Sequence, residues 1–298
     1  MAFALGAILL IFFLFVFDGF FVFRNRPSQA VREAGCIEGS SVGVYLINLD
    51  HSSDRLASLK PLLEKLSLPW HRVVAVDGRT MTQADFERSV DLVGFQKIMG
   101  RLPGRGEVAC ALSHIKAWQT FLMSPYEYAV IFEDDVRFDP LTLQGVLKQL
   151  VACGGVWDFC NLDIREKGER LKFYTSVRQI GSHELRLYYQ GVYCGDAYVV
   201  SRKAVRRLLA QALPLVMTVE DYFVRGWEFD MRYMAVCPRA VYQQDVASVL
   251  APQPVVTRSE ADRVPERWAR FLGRVYRVKT GCVRAISVLR SSLLSSDF

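Results

Sequence analysis

From Ser41 to about residue 240 the chain alternates short, nearly continuous apolar runs with segments whose apolar residues recur every three or four positions. SVGVYLINLD, starting at Ser41, is the first apolar run and reads as a strand. HSSDRLASLKPLLEKLSL follows and reads as a helix, N-capped by Ser52 or Ser53, with Pro61 expected to kink it or to start a second turn. WHRVVAVDG is a second strand closing on a turn-forming Asp77-Gly78 pair. Residues 79–106, punctuated by glycines and Pro103, read as irregular. From about Gly106 a helix places Val108, Ala111, Leu112, Ile115, Trp118 and Leu122 on one face. The strand YAVIF, the acids EDD, a helix around 140–151, the strand VWDFCNLD, the run CGDAYVVS, a basic helix from Arg202 and the strand YMAVC complete the series. Strands alternating with helices predict one α/β domain of about 220 residues with a mostly parallel sheet.

The two ends break this pattern. Residues 1–23 are apolar but for Asp18, and as a helix they span about 34 Å at about 1.5 Å per residue, enough for a bilayer core of about 30 Å. Neither a positive n-region nor an A-x-A-like cleavage site is present, so the run reads as a retained single-pass anchor. Arg24, Arg26 and Arg32 follow it and nothing basic precedes it, which by the positive-inside rule puts the body on the cytoplasmic side. The expected organisation is an anchor over 1–23, a polar linker over 24–40, the α/β domain over 41–257 and a basic helical tail over 258–298. In that tail, PERWARFLGRVYRVKTGCVRAISVLRSSLL from Pro265 spaces large apolar residues among arginines. Two readings stand side by side: an interfacial helix touching anionic lipid, and a helix docked on the domain with its arginines solvated.

Composition narrows the classes. With 51% hydrophobic and 23% charged residues the chain is not globally disordered. Seven cysteines without a C-x-x-C pair exclude a disulfide scaffold and read as buried free thiols. The net charge is +6, but nine basic and four acidic side chains from Arg258 onward carry +5 of it. A nearly neutral body with a basic tail argues against nucleic acid and for a membrane surface as partner. There is no G-x-x-x-x-G-K-[ST], no G-x-G-x-x-G and no G-x-S-x-G, and the four histidines lack zinc-ligand spacing. P-loop NTPases, zinc hydrolases and α/β-hydrolases are thereby disfavoured.

The candidate chemistry sits at Glu133-Asp134-Asp135. Tyr128–Phe132 is the kind of run buried on both faces of a sheet, and the acids fall at its carboxyl end, where open α/β sheets bind ligands. Adjacent carboxylates repel one another. If the strand continues, Glu133 and Asp135 share a side, and oxygen-only ligation suits Mg²⁺ or Mn²⁺ shared with a diphosphate. A solvated turn or a helix N-cap is the plainer explanation of the same residues.

In order along the chain, VYLINLDHSSDR (44–55), VVAVDG (73–78), GEVACALSH (106–114), AVIFEDDV (129–136) and AYVVSRKAVRRLL (197–209) resemble glycosyltransferase family 25, over roughly residues 42–250. This family includes bacterial lipooligosaccharide β-1,4-galactosyltransferases and animal collagen hydroxylysine galactosyltransferases. The resemblance implies a GT-A-like, Rossmann-type nucleotide-sugar domain and a metal-assisted, inverting transfer from a UDP-sugar, most often UDP-galactose. Glu133 and Asp135 then fall in the family's DxD-like motif as ligands of Mn²⁺ or Mg²⁺. Donor-binding candidates are Asn48, Asp50, Arg55, Asp77, Gly78, Ser113, His114, Asp134 and Asp196. The catalytic base is either Glu220 or Asp221, according to a one-residue register. An anchored chain with a basic tail suggests a glycolipid or lipooligosaccharide acceptor. A non-catalytic scaffold or sugar-binding protein of the same fold, a transferase using UDP-glucose or UDP-N-acetylglucosamine, and a lipid-phosphate hydrolase are the competing readings.

Overall fold

A computed structural model of the chain describes residues 41–164, 174–189, 191–244 and 265–294. The expected anchor (1–23) and linker (24–40) lie outside the described residues, as does Cys36. Among the described residues no helix is long and apolar enough to cross a membrane.

The first strand, β1 (Val42–Asn48), is buried at every position. Its side chains alternate between two separate cores. Tyr45 and Ile47 join one cluster, while Val42, Val44 and Leu46 join the other. The same alternation runs through β3 (Tyr128–Glu133), with Ala129 and Ile131 on one face and Val130 and Phe132 on the opposite one. A sheet covered on both faces needs apolar residues at every position, which is why these strands appear as unbroken hydrophobic runs. The covering helices on one face are α1 (Ser53–Lys65) and α5 (Pro140–Ala152). On the other face lie α2 (Gln83–Ser89), α3 (Leu92–Met99), α4 (Arg105–Leu122), α6 (Arg202–Leu209) and α7 (Val219–Phe223).

The remaining strands are β2 (Trp70–Val74), β5 (Phe159–Asn161), β6 (Tyr174–Ile180), β7 (His183–Tyr188), β8 (Ala197–Ser201) and β9 (Tyr233–Cys237). Eight strands form one sheet in the order β2-β1-β3-β8-β5-β9-β7-β6. The α/β class holds, and β2, β1 and β3 run parallel as expected. Beyond them the sheet is mixed, because β8 is antiparallel to both β3 and β5, and β7 to β9 and β6. A small second sheet pairs β4 (Val136–Arg137) with β10 (Tyr242–Gln243), setting Gln243 opposite Val136.

Two local expectations change, and a hairpin joins the expected elements. Pro61 does not interrupt α1, which runs on to Lys65; it lies on the exposed side, where the carbonyl that lacks its amide proton is open to solvent. The span 79–106 holds α2 and α3, started by Thr82 accepting from the Asp85 amide and by Asp91 accepting from the Val93 and Gly94 amides. Gly100 stops α3 with φ of 75°, a left-handed conformation that glycine adopts without strain. The stretch between β5 and β8 contains the hairpin of β6 and β7, broken by a bulge at Ser176/Arg178. Six cysteines are free thiols among the described residues, four of them buried.

The tail forms α8 (Glu266–Leu294), which packs on α3. A Cβ on Gly273 would come 2.9 Å from the Gly100 nitrogen, and Ala269 is buried in the same contact. Farther along, the Arg225 guanidinium lies over the Tyr276 ring and that of Arg284 over the Trp227 ring. The docked reading of the tail is therefore correct for one side of the helix.

Candidate active site

A cleft of about 350 Å³ opens where β1 and β3 end. Its walls are the end of β1, the loop over 75–79, the first turns of α4, the acid turn after β3, Gly195-Asp196, the start of α7, and Gln243. The parallel strands deliver their carboxyl ends to one place, which is why a ligand site forms there.

The three acids of the turn have different surroundings. Asp134 is fully engaged: Asn48 Nδ2 donates to Oδ2 at 2.7 Å and Arg55 donates to Oδ1 at 2.9 Å. Glu133 ends β3 and faces α4, with His114 Nε2 at 3.3 Å and the Cys110 thiol at 3.9 Å from its Oε1. Asp135 is buried, and one oxygen accepts from Gln243 Nε2 at 2.9 Å. Its other oxygen, Oδ1, is buried without a hydrogen-bond partner. Burial, then the charges of Glu133 and Asp134, raise the Asp135 pKa above the usual carboxylate value.

Opposite the turn stands Glu220, in the first turn of α7. A Cβ on Gly195 would sit 3.5 Å from Glu220 Cγ and 3.8 Å from Glu133 Oε1, so the glycine keeps open the space between the two carboxylates. Asp196 lies beside it, buried, with its backbone oxygen accepting from the Glu133 amide at 2.8 Å. The Cys110 thiol registers the crowding, since burial and then the charges of Glu133, Glu220, Asp196 and Glu107 push its pKa well up. Carboxylate oxygens of this density, one of them orphaned in the interior, fit a hard divalent cation such as Mg²⁺ or Mn²⁺.

Most of the other expected site residues converge here, in supporting positions. Ser113 Oγ accepts from the Val76 amide at 2.9 Å and donates to the Ala109 carbonyl at 2.7 Å, pinning the 75–79 loop to α4. His114 is buried, with Nδ1 2.9 Å from the Tyr198 hydroxyl, which also accepts from Trp118 Nε1. The arrangement that satisfies every buried group has Tyr198 donating to Nδ1 and Nε2–H directed at Glu133. Gly78 meets the start of α4 so closely that a Cβ would lie 2.9 Å from the Arg105 carbonyl oxygen. Asp77 is clamped by Arg79, which holds its pKa down to about 2. Asn48 and Arg55 act on the cleft chiefly through Asp134.

Two expected residues are placed elsewhere. Asp50 is exposed, pairs with Arg72 at 2.8 Å and does not line the cleft. Two residues beyond the last paired position of β1, it has already left the strand ends. Asp221 does not line the cleft either: its carboxylate accepts from Thr218 Oγ1 at 2.7 Å, and its amide donates to the same hydroxyl. That is a helix N-cap, and it leaves Glu220 as the member of the pair directed to the cleft. The expected pairing of Glu133 with Asp135 by strand alternation is changed too, because β3 ends at Glu133 and the next two residues form a turn. Among the described residues, the tight groups of ligand-type atoms are Cys110/His114/Glu133 and Asp163/Cys194/Asp196.

Several residues of the site carry no local signal. Gln243 reaches Asp135 only through the β4–β10 pairing, 108 positions away in the chain. Cys110 and Glu107 lie one helical turn apart on α4, a spacing visible in the sequence once the helix is oriented by Ser113-His114.

The profile described as glycosyltransferase family 25 (LPS biosynthesis protein) matches residues 42–223. The chain belongs to that family. It is 28% identical over 188 residues to procollagen galactosyltransferase 1-A of Xenopus laevis, covering 60% of this chain and 30% of the relative. It is 33% identical over 205 residues to inactive glycosyltransferase 25 family member 3 of Mus musculus, covering 66% and 33%. A glycosyltransferase 25 family member of Anopheles gambiae is 25% identical over 193 residues, covering 60% and 30%. The chain thus spans about a third of the length of these curated relatives. The family match takes in β1, the acid turn and Glu220, and ends at the last residue of α7.

Proposed function

We propose that this family 25 chain is an inverting glycosyltransferase that moves a hexose, galactose in the first instance, from a UDP-sugar to a hydroxyl acceptor. The observation that carries the reading is the buried, unpartnered Asp135 Oδ1 among carboxylates at the strand ends. A buried carboxylate in that state costs folding free energy unless a proton or a cation completes it, and a divalent cation would also answer the neighbouring charges of Glu133 and Asp134.

Glu133 and Asp135 would hold Mn²⁺ or Mg²⁺, whose chemistry is to neutralise the diphosphate leaving group as the glycosidic bond breaks. The residues of the chain have separable tasks. Asp134, tied to Asn48 and Arg55, fixes the turn that aims its two neighbours. His114, oriented through Tyr198 and Trp118, donates to Glu133 and directs that carboxylate. Glu220, across the Gly195 gap, takes the proton from the acceptor hydroxyl as that oxygen attacks the anomeric carbon. The loop over 75–79, pinned by Ser113, forms the wall against which the nucleotide lies.

The acceptor reading is a glycolipid or lipooligosaccharide, the chain being attached to the cytoplasmic face of a membrane by residues 1–23. It draws on the apolar run, the arginines that follow it and the basic tail. A non-catalytic scaffold of the same fold draws on the inactive relative in Mus musculus. Turnover of UDP-galactose, UDP-glucose and UDP-N-acetylglucosamine by purified protein over a panel of glycolipid acceptors separates these readings. EDTA-sensitive transfer from one donor is expected. Metal-independent UDP binding without transfer to any acceptor would favour the scaffold, and release of free sugar without acceptor dependence would favour a hydrolase.

A further inference from the structure

The helix α8 lies outside the segment that matches the family, and only one of its sides is used by the fold. At about 100° per residue, Ala269, Gly273, Tyr276, Thr280 and Arg284 share the side that faces the domain. Trp268, Phe271, Val275, Val278 and Ile286 share the opposite side. These five are 53%, 53%, 49%, 67% and 58% exposed. Elsewhere in the described residues the large apolar side chains are overwhelmingly buried, so a continuous exposed stripe of this kind marks an interaction surface.

The charges beside the stripe say what covers it. Arg267, Arg270, Arg274 and Arg277 line one flank and Lys279 the other, while Glu266 is the one acid in the helix. A second copy of the chain seated on the same stripe would bring basic flanks together with no acidic positions to pair them. An anionic lipid surface complements both features: its acyl region takes the tryptophan, phenylalanine and aliphatic side chains, and its headgroups take the guanidinium flank. We propose that α8 lies on an anionic membrane surface through the stripe from Trp268 to Ile286, while the Gly273–Gly100 contact and the Arg225 and Arg284 rings-and-guanidinium contacts hold its other side to the domain. The helix thereby fixes the orientation of the α/β domain on the bilayer and does not serve merely as a tether. This inference does not depend on the transferase reading.

The test uses the full chain in phosphatidylcholine nanodiscs with and without phosphatidylglycerol, with dibrominated phosphatidylcholine as quencher of tryptophan emission. Subtracting the signal of Trp268→Tyr isolates the Trp268 component, so an anchor at the other end of the chain does not obscure the result. Strong quenching of that component is expected in the anionic discs and weak quenching in the neutral ones. Each surface cation contributes about fivefold to the partition. The combined variant Arg267→Gln, Arg274→Gln, Arg277→Gln therefore lowers the bound-to-free ratio of α8 by about 100-fold, with an unchanged circular dichroism spectrum. Equal quenching in both discs, or none in either, overturns the proposal. So does a Trp268 environment that follows protein concentration and not lipid composition, which would assign the stripe to a second copy.

Discussion

Two carboxylate clusters lie at the ends of the neighbouring strands β3, β8 and β5, and their surroundings differ. Around Asp163, Cys194 and Asp196 the acids are supplied with partners: Asp163 accepts from Arg239 at 3.3 Å, from the Gln243 amide at 3.2 Å and from the Cys194 thiol at 3.7 Å. At the Glu133–Asp135 turn, Asp134 has an arginine and an asparagine, whereas Asp135 keeps an oxygen with none. Burial does not separate the two clusters. What separates them is whether the protein itself completes each carboxylate. An acid completed by the chain is part of the structure, whereas the unpartnered oxygen of Asp135 is what the proposed cation site rests on.

Mutation of Asp135 strains this comparison most. Asp135→Asn removes a like charge, its amide nitrogen taking the place of the unpartnered oxygen, so the melting temperature should hold while transfer falls about 10³-fold, the scale of several kcal/mol of charge stabilisation. Loss of stability comparable to the loss of activity would put Asp135 with the structural acids. Glu220→Gln should cost about 10²-fold in kcat with little change in KM for the donor. A change in KM alone would make Glu220 a binding residue.

The opposite signature is expected at Asp163. Asp163→Ala leaves Arg239 and the Gln243 amide without this acceptor, while the Cys194 thiol keeps Asp196 Oδ2 at 3.3 Å, and it should destabilise by about 2–3 kcal/mol in denaturant, with transfer by the folded fraction kept within about tenfold. Asp221→Ala is a milder case of the same kind. Removing the partner of Thr218 at the start of α7 should cost about 0.5–1 kcal/mol and spare catalysis. The smallest effect belongs to Asp77. Arg79 depresses its pKa from 3.8 to about 2, so its contribution is full above about pH 4 and is lost as the pH falls through about 2. Carboxyl NMR titration should show that low midpoint, and Arg79→Gln should return it toward the ordinary value.

The comparison also shows which parts of the molecule a reader of the sequence could see. The strands β1 and β3 are legible because burial on both faces writes an unbroken apolar run, and the acids after β3 stand out as three adjacent carboxylates closing such a run. The helices α2 and α3 were hidden by the glycines around them, since a glycine reads as a break until its role as a stop for α3 is known. The hairpin of β6 and β7 carries mixed polar and apolar residues on a half-buried edge and left little trace. At the site, one hydroxyl, that of Thr218, holds the Asp221 carboxylate away from the cleft, and the partner of Asp135 comes from 108 residues away. Long-range pairing of that kind has no local signal. Asp50 lies two residues beyond the last paired position of β1, which is enough to carry its side chain to solvent and to Arg72.

The most direct measurement is calorimetric titration of metal-stripped protein with UDP in the presence and absence of Mn²⁺, on the wild type and on Asp135→Asn. UDP binding that requires Mn²⁺ in the wild type and is lost in the folded Asp135→Asn protein is the predicted result. Binding of UDP that ignores the metal and survives the substitution would contradict the assignment of the incomplete carboxylate to a cation site.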